Sequence, residues 1–352
     1  MRVLIDLGHP AHYHFLKNVI KHLRKQGDEI LLVIRNREGI VARLLIEDGL
    51  NYISLYPPAN GLIMKGIRMI INDLKLLRIA VQFKPDLFLS LSSPYSAHVS
   101  FLMRKPHISF GDTEIAKIAQ VLIAPLWNTK TFLPKSFHGT FRFSNEVIVD
   151  SYKELAYLHP KYFEANPSIL SEIGLKKDEK YIIVRFSSFD SSHDIGLKGL
   201  NKENRRRLVL ELAKMARVFV FSENELDDTI RKFRLDINPA RLHDLLCFAS
   251  LYIGEGAVMA SEAAVLGIPS IFINPSRRGY LDDLQEVGLV IQYFHPNDDI
   301  EEIINKAKII LSNDLLVSEL KSKRDKMLSN KKDITEAIIN EIEKFRNSIN
   351  EK

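Results

Sequence analysis

Cysteine is almost absent. The 352 residues contain one, Cys247, so no disulfide can form within the chain, which suits a reducing compartment. Long apolar runs are missing as well. None approaches the roughly 18 uninterrupted apolar residues of a membrane span. The opening MRVLIDLGHP is too short in its apolar run for a secretory signal, and a Gly-His-Pro turn breaks it. The expectation is a cytoplasmic protein with no transmembrane segment, whose membrane contact, if any, is peripheral. Low-complexity sequence is confined to a charged C-terminal end. Charge of one sign is not in strong excess either: 49 Lys and Arg stand against 44 Asp and Glu, a formal net charge of +5. That balance argues against a dedicated nucleic-acid binder and leaves room for an anionic substrate.

What is present is apolar sequence in alternating blocks. At 46% hydrophobic over 352 residues, the chain holds more than a single core usually takes, so two domains are expected. In the first half, short apolar runs (RVLID, EILLVI, YISL, DLFLSL, HISF) alternate with helical patterns at 15–23, 41–47, 62–83 and 97–103. After a turn-rich linker near 159–168 the pattern restarts. YIIVRF, VFVF, LYIG, SIFI and LVIQYF alternate with helices at 202–214, 241–249, after 257 and at 280–287. Residues 298–349 read as charged amphipathic helix. This alternation predicts right-handed βαβ units and parallel sheets. The expected domains are 1–165 and 166–330, with a C-terminal helix at 331–352 that packs back on the first.

In open parallel sheets, ligands bind beyond the carboxyl ends of the strands. The loops in that position are GHPAHYH, SSPYS, GDTE, SSFDSSHD, SENE and GEGA. Polar and titratable residues concentrate there. After one of them, in IGEGAVMASEAAVLGIPSIF (residues 253–272), a carboxylate, Glu262, sits on a helix otherwise made of small and apolar residues. Gly254 and Gly256 permit a tight turn and close approach. Ala257 opens a helix whose free N–H groups and positive dipole end suit phosphate. Glu262 follows at roughly 7–8 Å along the helix axis, about the reach from a diphosphate to its ribose. A carboxylate there can accept both vicinal hydroxyls. The alternative is a solvent-facing acid on an edge helix with nothing bound, and geometry leaves both open.

This segment resembles the nucleotide-sugar segment of the GT-B glycosyltransferases and of UDP-N-acetylglucosamine 2-epimerase. IDLGHPAHYHFLKNVI resembles the Gly-His loop that opens the first domain in the same superfamily. With DTE and SSHD added, the chain is most similar to a prokaryotic family of that superfamily, domain of unknown function 354. The resemblance implies an α/β GT-B fold, two Rossmann-like doubly wound domains facing a cleft. It implies a nucleotide-sugar donor, UDP-linked, as substrate, with the diphosphate on Gly254, Gly256 and Ala257 and the ribose on Glu262. The backbone of 237–240 would cup the base. No tightly bound cofactor and no metal is implied.

Other residues carry two readings each. His9, His12 and His14 lack a third well-spaced ligand for zinc. They suit a general base or an electrostatic clamp, or else His12 and His14 merely hydrogen-bond locally at a helix start. Gly8 and Pro10 fix His9 in the turn and favour it. Asp112 or Thr113 can cap a helix, while Asp112 and Glu114 can form an acid pair with one raised pKa. The epimerase has His-x-Glu in a similar place and this chain has Asp-x-Glu, so epimerase chemistry does not simply carry over. Ser187 and Ser188 can hydrogen-bond phosphate, and His193 or Arg185 can neutralise it. That loop is not Gly-rich, so no P-loop is present. Arg205–Arg207 read as a solvated basic run, and Arg277 and Arg278 as candidates to meet an anion. The expected activity is metal-independent glycosyl transfer to an unknown acceptor, a glycan or lipid-linked hydroxyl, in a setting such as surface glycan synthesis. The alternatives are a UDP-sugar 2-epimerase or hydrolase without acceptor, and a non-catalytic sugar-nucleotide-binding protein.

Overall fold

The computed structural model describes residues 1–57, 59, 61–111, 114, 121–123, 126, 128–138, 145–176, 178–187 and 199–350. The chain forms two compact units, Met1–Tyr157 with Lys332–Lys352, and Leu158–Lys331. Each is built on a parallel sheet.

The first unit has seven strands: β1 Arg2–Leu7, β2 Glu29–Ile34, β3 Tyr52–Ser54, β4 Leu87–Leu91, β5 His107–Phe110, β6 Thr129–Pro134 and β7 Glu146–Val149. Their order is β3-β2-β1-β4-β5-β6-β7. Strand β4 is buried along its whole length, as a strand covered on both faces must be. One cover is the Leu62–Phe83 helix together with the Pro94–Leu102 helix; Leu76, Ala80 and Val99 pack there with Leu4, Val33 and Phe88. The Pro10–Lys25 helix buries Phe15, Leu16, Val19, Ile20 and Leu23, the apolar face read from the sequence.

Two strands, β6 and β7, are additions to the sequence reading. TKTFLP alternates threonine and lysine with few large apolar groups, and EVIV is an outer strand with one buried residue. β7 is a half-exposed edge strand and needs little hydrophobic sequence, whereas β6 lies mostly buried between β5 and β7 but fills two of its buried positions with threonine, so apolar periodicity misses both. The expected continuous helical end is three helices, Ile300–Ser312, Asp314–Asn330 and Ile334–Asn350. Asn313 makes the first break by accepting hydrogen bonds from the N–H groups of Leu315 and Leu316. At the second break, the Lys332 N–H donates to the Asp150 carbonyl. The last helix then lies on the Pro10–Lys25 helix, with Arg346 forked onto Asp28 at 2.9 and 2.5 Å and Lys130 on Glu341 at 2.5 Å.

The second unit has five strands: β8 Tyr181–Phe186, β9 Arg217–Ser222, β10 Leu251–Gly254, β11 Ser270–Ile273 and β12 Val290–Tyr293. Their order is β12-β11-β10-β8-β9. The expected helices at 202–214 and 241–249 are shorter, Lys202–Leu212 and Leu242–Cys247.

His107 sits inside the first sheet. Its Nε2 meets the Ser90 hydroxyl on β4 at 2.8 Å and its Nδ1 meets the Thr129 hydroxyl on β6 at 3.0 Å. Burial pushes its pKa down from 6.5 to about 3. Between these values the unfolded chain binds a proton that the folded chain refuses. Stability from this group is therefore complete above pH 6.5 and declines as pH falls toward 3, by about 1.4 kcal/mol per pH unit. Denaturant titrations over this range should show the decline, and His107→Gln should flatten it relative to the unsubstituted protein. Parallel slopes in the two proteins would overturn the assignment.

Candidate functional site

Doubly wound sheets open a crevice where the strand order reverses. The reversal falls between β8 and β10 in the second unit and between β1 and β4 in the first. Of the residues expected to bind or react, His9 follows β1, Ser187 follows β8, Gly254, Gly256, Ala257 and Glu262 end or follow β10, and Glu114 comes after β5.

In the second unit, β10 ends in Gly254 and the chain passes through Glu255 and Gly256 into the Ala257–Val265 helix. Among the described residues no side chain caps this helix, and first-turn N–H groups of this kind suit a ligand or water. Gly256, Ala257 and Val258 are partly exposed, while Met259 to Val265 are buried. The glycines are not required by backbone conformation, since neither has a positive φ. They are required by space. A Cβ on Gly254 would lie 2.4 Å from the Tyr252 hydroxyl, and one on Gly256 would lie 3.0 Å from Arg185 Nε. Arg185, near the end of β8, thus lies directly beside the open turn of the helix. Its other neighbour is Glu223, which accepts a hydrogen bond from it.

Glu255 is 1% exposed. Its carboxylate accepts the Ser187 N–H at 2.7 Å, the Leu200 N–H at 2.7 Å and the Arg205 guanidinium at 3.1 Å. Burial pushes its pKa up, against the pull of Arg205 and the two N–H groups. Ser187 therefore commits its backbone N–H to Glu255. Ser188 and His193 lie outside the described residues.

Glu262 does not face solvent. It is 3% exposed, and its Oε1 is 3.0 Å from Nε2 of His243, itself 4% exposed on the Leu242–Cys247 helix. The solvated alternative fails because this face of the helix packs on a neighbouring helix. Arg278 is buried and donates to the Ser276 hydroxyl and the Arg277 carbonyl, and Arg277 stacks on Phe294.

In the first unit, His9 is exposed and caps the Pro10–Lys25 helix, its Nδ1 accepting the Ala11 N–H at 3.2 Å. A neutral imidazole capped this way carries its proton on Nε2 and offers a donor there. His12 Nδ1 accepts the Gly8 N–H at 3.2 Å, and the rings of His9 and His12 are 5.9 Å apart. Below them, the fully buried Asp6 accepts from Arg35 at 2.7 Å, from Ser96 at 3.3 Å and from the Ser93 hydroxyl. Asp6 Oδ1 and Arg35 Nε are buried without a hydrogen-bond partner among the described residues. Ser92, at the end of β4, holds φ at +46°, a strained conformation of the kind that clusters at functional sites. Glu114 accepts the His138 N–H at 3.1 Å; Asp112 lies outside the described residues.

A family model described as Protein of unknown function (DUF354) matches residues 1–346. The chain belongs to this family. An uncharacterized protein of Methanocaldococcus jannaschii, MJ0665, is 26% identical to this DUF354 chain over 345 residues, 92% of this chain and 96% of that protein. Among solved structures, the M. jannaschii UDP-GlcNAc 2-epimerase in complex with UDP-GlcNAc and UDP has a TM-score of 0.64 at 14% identity, over 89% of this chain and 93% of its own. Spinosyn rhamnosyltransferase SpnG complexed with thymidine diphosphate has a TM-score of 0.64 at 14% identity, over 97% and 100%. The Streptomyces sp. SF2575 glycosyltransferase SsfS6, complexed with thymidine diphosphate, has a TM-score of 0.62 at 16% identity, over 97% and 99%. The likeness is one of fold. This chain has the α/β GT-B architecture, with two parallel sheets.

Three residues at these strand ends in DUF354 were not singled out from sequence: Asp6, Glu255 and His243. Asp6 carried a usable signal, an acid inside a fully apolar strand, which must find partners to be buried. Glu255 and His243 carried none, because their partners are backbone N–H groups and a residue on another helix. Replacing Glu255 by Ala leaves two N–H groups and Arg205 without their acceptor. The expected loss is about 3–5 kcal/mol in chemical denaturation, and about 1–3 kcal/mol for Glu255→Gln, which keeps one acceptor oxygen. A loss under about 1 kcal/mol for Ala would show that the carboxylate is not holding these loops.

Proposed function

We propose that this DUF354 protein is a glycosyltransferase that takes its sugar from a nucleoside-diphosphate donor, UDP-linked, and passes it to an acceptor hydroxyl. The observation that carries the reading is the uncapped, partly exposed start of the Ala257–Val265 helix at the β8/β10 reversal, with Arg185 beside Gly256. An anion fits that combination of N–H donors, dipole and guanidinium. In this reading the diphosphate lies over Gly254, Gly256 and Ala257, and the hydroxyls of Ser187 and Ser188 with His193 complete its shell. Glu262, oriented by His243, accepts the ribose hydroxyls.

The acceptor oxygen attacks the anomeric carbon as its bond to the diphosphate breaks. Negative charge growing on the departing UDP meets the helix N-terminus and Arg185, groups already aimed at it. The acceptor side is assigned to His9, Asp112 and Glu114. The cap bond of His9 turns its Nε2–H outward as a donor, which favours His9 as a clamp. The acceptor's proton then passes to Asp112 or Glu114. A glycan or lipid-linked alcohol is the acceptor class.

A UDP-sugar 2-epimerase or hydrolase working on the same donor is the second reading. Its support is the fold likeness to the UDP-GlcNAc 2-epimerase together with the acid Glu114. Calorimetry should detect UDP binding, and Glu262→Gln, which preserves the bond to His243, should weaken it about 10- to 100-fold, the worth of hydrogen bonds to a charged group. Unchanged affinity would remove Glu262 from the donor site. Incubation with UDP-GlcNAc alone, followed by NMR, separates the two chemistries: inversion at C2 or release of UDP favours the second reading, and a bound but unchanged sugar favours transfer.

A further inference from the structure

The Leu62–Phe83 helix has a second apolar face. Its inner face, with Leu76 and Ala80, covers the first sheet. Its outer face should be polar, yet Ile63, Met64, Ile67, Ile70, Ile71, Leu74 and Val81 are all exposed, Ile63 at 80%, Leu74 at 62% and Ile70 at 59%. From Ile63 the spacing to Ile67, Ile70, Leu74 and Val81 keeps these side chains on one line, roughly 27 Å long at 1.5 Å per residue. No fold requirement explains an apolar line of that length in water.

Charge accompanies the stripe. The helix carries Lys65, Arg68, Lys75 and Arg78 against a single acid, Asp73, and Asp73 is 2.9 Å from His98. At 100° per residue, Arg68, Lys75 and Arg78 fall along one side of the stripe. Arg68 and Lys75 lie over the half-exposed ring of Tyr56, 5.2 and 4.0 Å from its centroid. An apolar stripe with a cationic, aromatic margin is the composition of a helix that lies in a membrane interface. It is not a span: among the described residues no helix is long and apolar enough to cross a membrane.

We infer that the Leu62–Phe83 helix docks the protein flat on an anionic lipid surface. The stripe enters the acyl boundary, and Arg68, Lys75 and Arg78 along its margin meet headgroup phosphates. The cations select this occupant over a second copy of the chain, which would bring the same cations and an acid already held by His98. The docking stands apart from the donor assignment.

Flotation of the full chain with vesicles of phosphatidylcholine, with and without phosphatidylglycerol, tests it. The protein should float with the anionic vesicles and stay behind with the neutral ones, and added salt should release it. The double variant Ile67→Ser/Leu74→Ser and, separately, Arg78→Gln should each lower the bound fraction several-fold. Both should keep the original denaturation midpoint and UDP affinity, since these side chains are exposed. Three outcomes overturn the inference: no flotation with either vesicle, equal flotation of the variants, or a concentration-dependent dimer in sedimentation that the double variant abolishes.

Discussion

In each unit a single buried carboxylate gathers donors from loops that leave different strands. Asp6 on β1 draws in Arg35, which follows β2, and Ser93 and Ser96, which follow β4. Glu255 after β10 draws in Ser187 after β8, along with Leu200 and Arg205. Parallel strands send all their carboxyl ends to one edge, where the loops have no ladder to bind them. A carboxylate has acceptor capacity for several N–H and O–H groups at once. Placing one at each reversal of strand order converts a loose set of loop ends into a fixed edge. The desolvation of the charge is offset only while all its donors stay in place, so the edge holds as a unit.

Much of this fold was legible in the sequence because central parallel strands are nearly continuous apolar runs. RVLID, DLFLSL and YIIVRF have no other reading at that length. Strands β6 and β7 were not legible: β7 is a half-exposed edge, and β6 buries Thr129 and Thr131 where an apolar pattern would be sought. The candidate site divides in the same way. Gly254, Gly256, Ala257 and Glu262 were visible because a turn, a helix start and an acid recur at fixed spacing. Their structural reasons differ from the expected ones. The glycines make room for Tyr252 and Arg185, and Glu262 is packed against His243. Spacing along a chain reports which groups share an edge, and only packing reports which group each one touches.

The two edges also differ in what they leave open. In the second unit the open groups are N–H donors and a guanidinium, which specify an anion and little else. Nucleotide-sugar transferases, epimerases and hydrolases share that requirement. In the first unit the corresponding edge carries an exposed imidazole, His9, a buried carboxylate, Asp6, and a serine in a strained conformation, Ser92. In the proposed reading, binding falls to the edge of the second unit and reaction to that of the first.

The Ile334–Asn350 helix belongs to the first unit although it follows the second in the chain. Arg346 forks onto Asp28 and Glu341 meets Lys130, and Thr335 reaches the Ala156 carbonyl. During synthesis on a ribosome, residues 1–157 emerge early and must wait without this cover while the whole of Leu158–Lys331 is translated. The second unit, continuous in the chain, can close as soon as it emerges. The order of completion is therefore the reverse of the order of translation, and the surface of the Pro10–Lys25 helix that the Ile334–Asn350 helix covers is the one a nascent-chain chaperone would meet longest.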